Sequence, residues 1–99
     1  MKMNKKEILK DIIEFAELIS ETLNLKDLKI FKTDITLSIN DYISDKYIFL
    51  NKVINICHRK NIGVPKSMGN FLLYDEDLQK DIIYSFALNL KLKNKDSNV

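Results

Sequence analysis

Residues 24–43 read NLKDLKIFKTDITLSINDYI, and they decide whether the fold is all helical or mixed. Leu28 and Ile30 alternate with polar neighbours, as do Ile35, Leu37 and Ile39. A period of two marks a half-buried strand, so the stretch suits a hairpin turning at Lys32–Asp34. No Asn-Gly or Asp-Gly pair occupies that turn, which leaves the hairpin without its preferred left-handed residues. Ile35, Ile39, Tyr42 and Ile43 also fall at i, i+4, i+7 and i+8, with Thr33 or Asp34 placed as N-cap. The weak turn favours a short helix over about 34–43. The expected class is mainly α, a small bundle of four to five short helices. The alternative is α+β with one small hairpin at about 25–39.

The flanks carry clearer helical patterns. From Asn4 to Leu23, apolar residues recur at spacings of three and four, with Asn4 and Glu7 placed to form a capping box. Ser44 or Asp45 is placed to cap a helix reaching about Asn61. On that helix Phe49, Leu50, Val53, Ile54, Ile56 and Cys57 gather on one half, and Asn51, Lys52, Asn55, His58 and Arg59 on the other. Tyr47 lies at the edge, and Ile48 falls alone within the polar arc. So wide an apolar face predicts a central helix. Val64, Met68, Phe71 and Leu72 fit a short helix within 64–74, weakened by Gly69. Asp75 then caps a last helix bearing Leu78, Ile82, Ile83, Phe86, Ala87 and Leu90. Residues 1–99 read as one domain, with 91–99 as a frayed tail.

The stretch NICHRKNIGVPKSMGN, residues 55–70, holds the only cysteine, histidine, arginine and proline and both glycines. Such a concentration could mark a site. Cys57 and His58 are adjacent, however, so on a helix they point about 100° apart, a geometry from which one metal rarely takes both and in which a catalytic pair does not face one another. A corner explains each residue better. Cys57 is a small core hydrophobe, and His58, Arg59 and Lys60 complement the negative end of the helix dipole. Gly63 is expected as the left-handed residue of a Schellman ending, with Val64 making its apolar contact and Pro65 preventing continuation. The corner still leaves an exposed basic knuckle of His58, Arg59, Lys60 and Lys66.

Charge is uneven although the net is only +2: residues 7–21 carry −4 and residues 22–66 carry +4. Glu7, Asp11, Glu14 and Glu21 form one stripe of the first helix, with Glu17 beside it, a face suited to docking on a basic surface. The basic residues are scattered, and lysine outnumbers arginine fifteen to one. Base readout favours arginine, so a nucleic-acid footprint is faint. The lysine, isoleucine and asparagine usage reads as the coding bias of an AT-rich bacterial, plasmid or phage genome. A lone cysteine and the lack of a signal-peptide or membrane-spanning pattern point to the cytoplasm.

No residue pattern calls for a metal, a cofactor or catalysis. In size and charge the chain is similar to bacteriocin and toxin immunity proteins and to phage-encoded inhibitors, a likeness carried by no motif. The expectation is a small protein-binding protein that acts by steric occlusion: an inhibitor, immunity protein or adaptor whose partner is a nucleic-acid enzyme or toxin. Its expected contacts are the acidic stripe (Glu7, Asp11, Glu14, Glu17 and Glu21) and the knuckle (His58, Arg59, Lys60 and Lys66). The alternative is a small nucleic-acid-binding transcriptional regulator. Homodimerisation is open, and no membrane association is expected.

Overall fold

The computed structural model describes residues 3–92. The described chain is helical, with no strand in it: α1 Lys5–Thr22, α2 Leu25–Leu37, α3 Ile39–Ser44, α4 Lys46–Lys60, α5 Lys66–Gly69, a 3-10 turn Phe71–Leu73, and α6 Glu76–Asn89. The hairpin alternative is overturned, because residues 25–37 form a continuous helix. Asn24 begins it, its side-chain oxygen accepting from the Asp27 amide at 2.8 Å. Leu28, Phe31 and Ile35 line its buried face. Ile30 and Leu37, which created the apparent alternation, lie outside, 62% and 81% exposed. The expected helix over 34–43 has the right type but spans two elements, since the chain breaks at Ser38 and restarts as α3.

The other starts follow their caps. Asn4 and Glu7 form the expected capping box, with the Glu7 amide 2.9 Å from Asn4 Oδ1. Asp45 Oδ1 accepts from the Tyr47 and Ile48 amides, and Asp75 Oδ1 from Leu78 at 2.9 Å. The single helix expected within 64–74 is instead α5 followed by the 3-10 turn, and it buries Met68 and Phe71.

The packing centre is α6 rather than α4. It lies along α1 and also meets α2 and α3. Phe86 of α6 touches Phe15, Phe31 and Phe49, and Phe49 in turn touches Tyr42 and Phe71 at centroid distances of 5.5 and 5.1 Å. Leu50, Val53, Ile56 and Cys57 join this core as expected, whereas Ile54 remains exposed. At the far end of α6, Lys32 of α2 sends its ammonium to the carbonyls of Ala87 and Leu90. The Lys91 amide donates to the buried Ser20 hydroxyl at 2.9 Å, and Leu92 packs partly against the core. The rest of the expected tail, 93–99, lies outside the described residues. No described helix is long and apolar enough to cross a membrane.

Candidate functional site

The corner after α4 turns on Asn61, not Gly63. Asn61 adopts the left-handed conformation at φ 57°, and neither glycine has a positive φ. The Ile62 amide reaches back to the Cys57 carbonyl at 2.9 Å, and the Asn61 amide to that of His58 at 3.4 Å. This is the Schellman pairing, two residues earlier than expected, because asparagine also tolerates the left-handed region. The accompanying apolar contact belongs to buried Ile62, and Val64 is left exposed. Cys57 is buried, and burial pushes its thiol up to about 11. His58, by contrast, is exposed, so the two adjacent groups share no pocket. Among the described residues no group of three His, Cys, Asp or Glu side chains could hold a metal ion.

The turn at Asn61 divides the expected knuckle. His58, Arg59 and Lys60 face a groove toward α2, while Gly63, Val64 and Pro65 run against α1. Lys66 opens α5 and lines neither groove. On the α1 side, Gly63–Pro65 and α1 enclose a shallow depression of about 420 Å³. Its apolar walls are Phe15, Leu18, Val64 and Pro65, and its charged rim is Asp11 and Glu14. Asp11 also accepts from the hydroxyl of buried Ser67, which anchors α5 to α1. The Tyr74 hydroxyl donates to the Ser67 carbonyl at 2.9 Å, and burial, with nearby Asp11, raises its pKa. Glu7 is engaged in the cap of α1; Glu17 lies beside the stripe and Glu21 two turns further along it, both outside the depression.

On the α2 side the groove holds about 650 Å³. Its walls run antiparallel: Asp27 pairs with Lys60 at 2.8 Å and Asp34 with Lys52 at 3.3 Å. A hydrogen bond from Lys60 holds the Asp27 carboxyl below its ordinary pKa. The floor is Phe31 and Ile56, exposed Ile30 stands on the α2 wall, and Asn55, His58 and Arg59 complete the α4 wall. Neither Arg59 nor His58 forms an ion pair among the described residues. Sequence reasoning missed the α2 half of this groove. Its signal was present, since residues 27, 30, 34 and 37 share one helical face once the segment is read as a helix. No protein-family model matches the chain, and no curated protein or solved structure matches it either.

Proposed function

We propose that this chain is a protein-binding protein, an inhibitor, immunity protein or adaptor that occludes a partner through the surface shared by α1 and the 63–65 loop. One observation supports the reading above others. Two stretches singled out independently, the acidic stripe and the corner, lie some fifty residues apart in sequence yet wall one depression. Exposed Leu18 and Val64 beside Asp11 and Glu14 suit a partner that offers an apolar side chain next to a lysine or arginine. Leu18 and Glu14 are both exposed, which leaves them accessible to a partner.

A nucleic-acid regulator is the competing reading. Against it, the helix following the corner, α5, spans only four residues and offers a DNA groove a single turn. The experiment is a nuclease-treated pull-down from the source organism or its host with the full chain, repeated with Glu14→Lys and with Leu18→Asp. A stoichiometric protein partner retained by the native chain and lost by both variants is expected. Partners that vanish with nuclease while nucleic acid is recovered in its absence, or a partner indifferent to both substitutions, would overturn the assignment.

A further inference from the structure

The groove between α2 and α4 has a different chemistry. The two helices are not closely packed against each other; long side chains bridge them at Asp27–Lys60 and Asp34–Lys52. These pairs fix an antiparallel register. In that register Leu37, at the end of α2, lies opposite the turn of α4 that carries Ile48. Ile30 and Leu37 thus stand on the α2 side of this two-helix face, 62% and 81% exposed, and Ile48 on the α4 side, 44% exposed. Burying an exposed isoleucine or leucine is favourable, yet all three are left exposed on this face. Charge sorts along the same face. Asp27 and Asp34 neutralise Lys60 and Lys52, which leaves Arg59 as the groove's cation without a counter-ion among the described residues, next to His58.

We propose that the α2–α4 face docks an acidic amphipathic helix of a partner protein, its apolar side chains over Ile30, Leu37 and Ile48 and a carboxylate on Arg59. A third helix lying along two antiparallel ones is the helix-in-groove mode, read by anchors at i, i+3, i+4 and i+7. Ile30 and Leu37, seven residues apart, stand about 10.5 Å apart along their axis, the spacing of anchors two turns apart on the incoming helix. A nucleic-acid backbone fits less well, because its closely spaced phosphates cannot avoid Asp27 and Asp34, whereas a helix can set one carboxylate on Arg59 and apolar side chains over the rest of the face. The inference rests on the reading of the chain as a protein-binding protein but uses a separate surface.

The test is amide chemical-shift mapping on the full, isotope-labelled chain. The probes are two synthetic helices of about 18 residues, long enough to hold helical structure. Both carry one leucine face, and they differ only in glutamate or lysine elsewhere. A short DNA duplex is the third probe. The glutamate helix is expected to move Ile30, Leu37, Ile48, Asn55 and Arg59, and to bind roughly tenfold or more tightly than the lysine helix at low salt. Arg59→Glu should reverse that preference. Equal binding of both helices, no shifts on this face, or binding of the duplex at the same residues overturns the proposal. So do shifts that grow with protein concentration alone, which would give the face to a second copy. If Glu14→Lys abolishes partner capture while Arg59→Glu changes neither capture nor peptide preference, this inference falls and the function assigned to the α1 surface stands.

Discussion

Asn61 and Cys57 show how far a single residue's role depends on its backbone and surroundings. Asn61 holds the one left-handed turn among the described residues, and a β-branched side chain there meets steric opposition that asparagine largely escapes. Asn61→Val should therefore lower stability by about 1–2 kcal/mol, while Asn61→Gly leaves it nearly unchanged. Gly63→Ala provides the contrast. Gly63 has no positive φ, and an added Cβ would meet nothing within 4 Å. Reducing the freedom of the unfolded chain should then make this variant neutral or more stable by about 0.4–1 kcal/mol. Urea titration of the three variants distinguishes a corner that turns on Asn61 from one that turns on Gly63. At Cys57, the thiolate is the reactive form, and burial raises the thiol from its ordinary 9.0 to about 11. At pH 8 the folded protein should react with a thiol reagent at least about 100-fold more slowly than the urea-unfolded chain, on thiolate fraction alone. The sign of the pH effect follows. The folded state keeps its proton where the unfolded thiol has lost it, so this contribution to stability fades as pH rises from about 9 to about 11. Rapid labelling of the native chain at pH 8 would place Cys57 in a reactive setting after all.

At the scale of elements, α2 is the informative case. Its start was written in the sequence, Asn24 with Asp27 three residues on, and so was its core face of Leu28, Phe31 and Ile35. The strand-like alternation came from Ile30 and Leu37, two apolar residues on the water side, where packing does not dictate polarity. The break at Ser38 was not legible, because no proline or glycine marks it and Ser38 makes no side-chain cap for α3. The first and last helices were legible in full, since cap, acidic first turn and apolar period agreed. Half of the α1 depression was legible as an acidic stripe; its loop wall depended on where the corner placed Val64 and Pro65, which is tertiary information. Lys32 was unremarkable in sequence, yet it ties α2 to the end of α6 by donating to the Ala87 and Leu90 carbonyls. Burial and the nearby charge of Lys91 lower its pKa, so part of what these bonds contribute is offset. Lys32→Met keeps the bulk and removes the donors. It should cost about 1–2 kcal/mol and speed hydrogen exchange in the last turn of α6 ahead of the rest of that helix. An exchange pattern unchanged at residues 87–90 would mean that the ammonium does not hold that end.

For the whole molecule, the connected aromatic side chains decide how stability is shared. Phe86 touches the rings of α1, α2 and α4, and Phe49 extends the contact to α3 and to the 3-10 turn. Loosening one ring should therefore loosen every element at once. A chain of this length has only about 5–15 kcal/mol to lose, and truncating a buried phenylalanine to alanine removes about 3–5 of it. Phe86→Leu, a gentler change, should shift the denaturation midpoint well below that of the native chain. Helix content, tyrosine fluorescence and Cys57 labelling should still report one coincident transition. Separate transitions would show instead that α1 and α6 form one unit and α2–α4 another. The candidate contact residues stand apart from this set: Ile30, Leu37 and Leu18 are exposed. Alanine at each should change stability by less than about 0.5 kcal/mol. That separation makes loss of binding in those variants interpretable as loss of contact rather than of fold, and a large destabilisation by Ile30→Ala would place Ile30 in the core instead of on a docking face.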